Sequence, residues 1–221
     1  MKDIVLEDWE YWKSFPELVA LLRSGVMVVQ VGANNGDDEI GLLMKTFGWK
    51  GMRIEPHRKA FRKLQKFHEK DKNVILENVI IDPAQKHVTL YEVKRGDKRH
   101  ASSRMATVQK DSILHSKFHK KLKWNLEIAG SYECPASTLN DLLERHSIVD
   151  IDLLAIDAEA HDYEIIKSID LDIYKPSIII YEYQHLSGQD YDACKSMLEK
   201  HGYRIGTLSV MDHIAIKGGT G

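Results

Sequence analysis

Five short apolar runs, at 26–31, 52–55, 74–81, 153–156 and 178–181, constrain this chain more than any other feature. They are rich in branched side chains and lack polar alternation, the pattern of strands buried on both faces in a parallel sheet covered by helices. Helical stretches at 39–47, 58–70, 138–146, 162–169 and 190–201 separate them. This alternation predicts a doubly wound α/β sheet whose ligands lie outside the carboxyl ends of the strands. Two further strands, 204–208 and 213–216, are joined only by Ser209, Val210, Met211 and Asp212, and so short a link requires an antiparallel hairpin.

Residues 8–23 carry Trp9, Trp12, Phe15, Leu18, Val19 and Leu22 at helical spacing and stop at Ser24-Gly25. The expected organisation is an accessory helix within 1–24 and one α/β domain over 25–221. The polar stretch 95–132, basic at 94–100 and 119–123, interrupts the pattern. It is read as an excursion over the ligand edge of the sheet, helical around 116–124. With 31 basic and 33 acidic residues the formal charge is −2, which disfavours a sequence-blind grip on nucleic acid. No apolar run approaches the length of a membrane-spanning helix. The acidic N-terminus is not a secretory signal. Cys134 and Cys194, with no Cys-x-x-Cys pair, fit a reducing compartment. The expected location is the cytoplasm, and no metal ligand set is read from the spacing.

The first strand runs into Gly32-Ala33-Asn34-Asn35-Gly36, a strand-to-helix loop with the hallmarks of nucleotide binding. Glycine gives close backbone approach at Gly32 and close helix packing at Gly36, and asparagine tolerates unusual backbone angles. The helix that follows opens with Asp37-Asp38-Glu39. Three carboxylates oppose an anion at a helix N-terminus and suit a cationic ligand. The second strand ends in Glu55-Pro56, where a carboxylate can accept both hydroxyl protons of a ribose. Asn78 and Val79, with Ile80, sit where an adenine edge and face would rest. Asp157 lies at the tip of the 153–156 strand. Glu159 either lines the cleft with it or acts only on the helix start, while Asp162 and Glu164 are placed on a solvated helix face. Glu182 and His185, and less firmly His161, lie just past strand ends, where a group able to take a proton near neutral pH is wanted.

These segments together resemble the FkbM-type family of S-adenosylmethionine-dependent methyltransferases. The matching motifs are Val31-Gly32-Ala33-Asn34-x-Gly36, Ile54-Glu55-Pro56, the stretch 137–143, Ile156-Asp157-Ala158-Glu159 with Asp162-Tyr163-Glu164-Ile165-Ile166, and Tyr181-Glu182-x-x-His185-Leu186-Ser187. The resemblance covers roughly 27–217. It implies the Rossmann-like class I methyltransferase fold: a mostly parallel seven-stranded sheet, antiparallel in its last strand, with helices on both faces. It also implies methyl transfer from S-adenosylmethionine to oxygen on a sugar, glycan or other hydroxylated metabolite. In that reading 32–36 holds the methionine end, Glu55 and Pro56 the ribose, and Asn78 and Val79 the adenine. Asp157 steadies the cation, and His185 or Glu182 takes the proton. A basic segment through Ser102, Ser103 and Arg104 closes over the acceptor. No metal is needed, because the sulfonium is already a strong electrophile. Two departures stand out: Ala160 replaces the glycine of Asp-x-Glu-Gly, and Gln30 stands where many methyltransferases carry an acid.

Three other readings bear on the same residues. A nicotinamide oxidoreductase is disfavoured by the acidic helix start and the missing central glycine. A nucleic-acid methyltransferase lacks the Asp- or Asn-Pro-Pro-Tyr or -Phe block. A binding module that has lost turnover is kept open by Gln30 and Ala160.

Overall fold

In this computed structural model the described residues are 12–95, 104–115 and 125–218. The chain runs α1 (Pro16–Ala20), β1 (Met27–Val31), α2 (Glu39–Phe47), β2 (Lys50–Ile54), α3 (Arg58–Phe67), β3 (Val74–Glu77), β4 (Ile80–Ile81), β5 (His87–Arg95) and β6 (Arg104–Thr107). It continues through α4 (Lys110–His115), β7 (Leu126–Ser137), α5 (Leu139–Arg145), β8 (Leu153–Ile156), α6 (Asp162–Ser168), β9 (Ile178–Glu182), α7 (Gly188–Lys200), β10 (Tyr203–Thr207) and β11 (Asp212–Lys217).

The main sheet has seven strands in the order β10-β11-β9-β8-β1-β2-β3. From β3 through β9 every pairing is parallel, and β11 is antiparallel to both its neighbours, β9 and β10. This is the expected class I methyltransferase architecture. The apolar runs lack alternation because both faces are covered. Val28 packs with Leu43 and Met44 of α2 and Leu18 of α1, whereas its neighbour Val29 packs with Leu142 of α5, Ile166 of α6 and Leu198 of α7. Strand order reverses at β1, which has β2 on one side and β8 on the other, and a crevice opens at the carboxyl ends there.

Three expectations are corrected. The helix expected over 8–23 is, among the described residues, chiefly α1. Pro16 has no N–H to give and starts that helix from an extended Phe15. Residues 8–11 lie outside the described residues. Leu18 and Trp12 share the core with β1, α2 and β11. The run 74–81 is not one strand: β3 ends at Glu77, and β4 belongs to a second sheet of order β4-β7-β5-β6. The stretch 95–132 contributes strands to that sheet, with β5 and β7 paired antiparallel over nearly their whole length. The helix expected at 116–124 lies outside the described residues, as do Ser102 and Ser103; the helix found nearby is α4.

Candidate functional site

At the reversal point a cavity of about 220 Å³ lies between the main sheet and the second sheet. Its floor is the β1–α2 loop and the end of β8, and its roof is Leu90 of β5 with Ala106, Thr107 and Val108 around the end of β6. Thr107 fastens roof to floor by donating from its hydroxyl to the Glu159 carbonyl at 2.8 Å. A second cavity, about 300 Å³, opens on the other side of Asp157, lined by Trp12, Gln30, Glu39, Ile180 and 208–212. Val31 and Asp157 border both.

The loop 32–36 is built by backbone constraint. Gly32 has φ +84°, and a Cβ there would stand 1.8 Å from the Asp157 carbonyl oxygen, so the glycine is required by the close approach of β1 and β8. Gly36, at φ +87°, leaves room for Leu64 of α3. Ala33 is buried and donates its N–H to Ile54. Asn34 takes φ +46°, which its short polar side chain tolerates, and Asn35 accepts the Asp37 N–H.

Glu55 is buried in the cavity wall. One carboxylate oxygen accepts the Asn34 N–H and the other the His57 N–H, both at 2.7 Å. Each oxygen keeps a second lone pair, so two further donors can be taken side by side. Burial pushes this carboxyl up to about 7, against the pull of its two backbone hydrogen bonds. Pro56 and Val79 also line the cavity, with Ile80 and Ile81 adding apolar surface. Asn78 is not among the lining residues. Its amide donates to the carbonyls of Glu55 and Pro56, so it shapes the turn carrying Glu55.

The acidic helix start is partly spent on structure. Asp38 caps α2 by accepting the Gly41 N–H and pairs at 2.5 Å with Arg53, a fully buried arginine on β2. Arg53 also donates to Gln30 Oε1 and to the Gly36 carbonyl, and Gln30 Nε2 returns a hydrogen bond to Asp38. Gln30 therefore buffers a buried ion pair, and its partner Arg53 was missed at the sequence level.

Asp157 borders both cavities and is exposed to them. Removal from bulk water, then Asp212 and Asp38 nearby, push its carboxyl up to about 6. Beyond it, Glu159 and Ala160 both have positive φ, +50° and +79°. Asp162 is fully buried, not on a solvated face. Its two oxygens accept the N–H groups of Glu182 and Ala158 and thereby tie β9 to the β8–α6 turn. Glu164 does lie on the outer face, paired with Lys167 at 2.7 Å.

Glu182 is buried, with one oxygen accepting from Gln184 and the other accepting no hydrogen bond, 3.5 Å from His185 Nε2. Burial and Asp157 push its carboxyl up to about 8. Glu159 joins this pair: donor atoms of Glu159, Glu182 and His185 all lie within 4.8 Å of one another. His161 stands apart, buried in the wall of the first cavity, with Asp82 3.6 Å from Nε2, no hydrogen bond to either ring nitrogen among the described residues, and burial holding its pKa down.

A family profile described as "Methyltransferase FkbM domain" matches residues 30–205. No curated protein matches the chain. Among solved structures, precorrin-6y C5,15-methyltransferase from Geobacter metallireducens is similar at 11% identity over 99% of this chain and 92% of that one, with a TM-score of 0.49. Human methyltransferase 10 domain containing protein is similar at 12% identity, covering 98% and 84%, also at 0.49. Fibrillarin from Aeropyrum pernix, solved with natively bound S-adenosyl-L-methionine, is similar at 10% identity, covering 94% and 75%, at 0.45.

Proposed function

Because this chain belongs to the FkbM methyltransferase family, whose methyl donor is S-adenosylmethionine, we propose that its cleft methylates a hydroxyl oxygen of a sugar, glycan or other hydroxylated metabolite. When bound, the donor supplies a methyl group on a positively charged sulfur, which an oxygen can attack directly. The first cavity fits the nucleoside part. Glu55, oriented by two backbone N–H groups, has lone pairs for a vicinal diol; Val79 and Ile80 offer an apolar face; and His161 lines the wall with no hydrogen bond to its ring nitrogens among the described residues. Asp157, between the two cavities, faces the cationic part, and the 32–36 loop is read as holding the methionine end.

The observation that carries oxygen as acceptor is the Glu182–His185 pair, two groups able to take a proton, buried together beside the β8–α6 turn. The acceptor hydroxyl would lie against this pair. As the C–O bond forms and the C–S bond breaks, the hydroxyl proton passes to His185 or Glu182. Orientation and exclusion of water under the β5–β6 roof supply most of the rate. A small acceptor rather than nucleic acid is favoured by the formal charge of −2, and a cytoplasmic location by two free, buried thiols.

The test is a screen of sugars and hydroxylated metabolites with a radiolabelled methyl donor, after calorimetry has established donor binding. His185→Ala should cut turnover about a hundredfold while leaving donor affinity within about twofold. Unchanged turnover removes His185 from the reaction, and label appearing only on RNA or DNA removes the small-acceptor reading.

A further inference from the structure

We propose that Glu159, Glu182 and His185 form a divalent-cation site beside the first cavity, whose wall Glu159 joins, a role that rests on the methyl-transfer reading above only for what the ion does there. Two segments that are separate in the chain converge to make it: the β8–α6 turn, which carries Glu159, and the end of β9 with the loop that follows, which carry Glu182 and His185. Their donor atoms lie within 4.8 Å of one another. Donors held at about 2.1 Å from a common ion stand at most about 4.2 Å apart, so small side-chain rotations close the site.

A second observation points independently to a ligand. Glu182 is 5% exposed, yet one of its carboxylate oxygens accepts no hydrogen bond. A dry, unsatisfied carboxylate oxygen costs about 1–3 kcal/mol or more unless something answers it. That oxygen is the one facing His185 Nε2 at 3.5 Å, too long for a hydrogen bond and close to the spacing of adjacent ligands on one metal ion. Glu159 is held in place from its backbone, by the Thr107 hydroxyl on its carbonyl.

Two carboxylates and one imidazole suit Mn²⁺ better than Mg²⁺, which prefers an all-oxygen shell. Three protein donors leave positions for water or for two oxygens of a diol. An acceptor hydroxyl bound there loses its proton more readily, and the proton leaves to solvent. With the ion in place, Glu182 and His185 therefore act on the hydroxyl through it.

The full chain, stripped with a chelator, is titrated with Mn²⁺ while the free-ion signal is followed by electron paramagnetic resonance. Wild type should bind one ion per chain, and Glu182→Gln and His185→Ala should each weaken binding about tenfold or more. Glu164→Gln, on the outer face, should leave it unchanged, and thermal melts verify folding. Absence of binding at millimolar Mn²⁺ in folded wild type overturns the site, as does undiminished binding in both folded variants. The same samples are titrated with 5′-methylthioadenosine. If Mn²⁺ binds and the nucleoside does not, the cation site stands and the methyl-transfer reading falls. If only the nucleoside binds, the cation site falls and proton acceptance stays with Glu182 and His185.

Discussion

Glu55 makes the nucleoside cavity a pH-dependent one, and the dependence can be worked from its surroundings. Burial raises the carboxyl to about 7, while two backbone N–H groups fix its orientation for whichever ligand arrives. A carboxyl whose folded pKa exceeds its unfolded value favours the protonated fold. The apo protein therefore loses stability as pH rises from about 4.5 to about 7, by about 3 kcal/mol in all, and levels off above that. Ribose binding has the opposite sign, because the ionised form is the one that accepts from both hydroxyls. About one-tenth of Glu55 is ionised at pH 6 and about nine-tenths at pH 8, so nucleoside affinity should rise about tenfold between them. The ligand of choice is 5′-methylthioadenosine, which has no group titrating in that window. Calorimetry at half-unit steps measures the slope. Glu55→Gln keeps the shape but removes the charge, and it should weaken binding about tenfold to a hundredfold and flatten the profile. A wild-type affinity that is level from pH 6 to pH 8, or a slope that survives in Glu55→Gln, refutes the assignment.

Three further outcomes can be read by urea denaturation. Gly32→Ala puts a Cβ into the Asp157 carbonyl at φ +84° and must part β1 from β8, costing about 3 kcal/mol or more; a loss under about 1 kcal/mol would show that this approach is not what requires glycine. Ala160→Gly relieves an alanine held at φ +79°, worth about 1–2 kcal/mol, against about 0.5–1 kcal/mol of added chain entropy in the unfolded state. A modest rise in midpoint is expected, and a fall contradicts the strain. Arg53→Met strands Asp38, Gln30 Oε1 and the Gly36 carbonyl without their donor and should cost about 3–5 kcal/mol; a neutral result would mean that the network contributes little.

The main sheet was legible because its strands obey one local rule, apolar side chains on both faces, and the connecting helices obey another. What escaped reading depends on partners distant in sequence. Residues 74–81 look like one strand, and nothing local divides them. The division falls at Asn78, whose amide is drawn to the carbonyls of Glu55 and Pro56, and the chain then leaves the main sheet for the second. The strand β5 buries Leu90 and Val93, three positions apart, where its pairing with β7 shifts register past Ala129, so no period of two marks it in the sequence. Helical spacing over 8–23 does not show where the helix begins, which Pro16 sets by following an extended Phe15.

At the site, residue type told where polar chemistry would gather, but not which groups would remain free for a ligand. Gln30 and Arg53 illustrate why. They are opposite each other in the β1–β2 register, so the side chain that decides the role of Gln30 comes from a strand 23 positions away. Once Arg53 takes Asp38 as well, the charge that the sequence offered to a cation has already been answered inside the protein. Asp162 fails for the same reason from the other direction. Helical periodicity places it outward, yet the first turn of α6 abuts the ends of β8 and β9, where two N–H groups need an acceptor. The opposite holds for Glu182, whose second oxygen accepts no hydrogen bond among the described residues. Of the carboxylates crowded at this edge, Asp38 and Asp162 are consumed by the fold. Burial and mutual repulsion raise the cost of charge in Glu55, Asp157, Glu159 and Glu182, as they do in Asp162, and a cation entering the cleft lowers that cost. A positively charged donor or a divalent ion relieves the same crowding, and either binding event should therefore lower the pKa of the neighbouring carboxyls and make them easier to ionise.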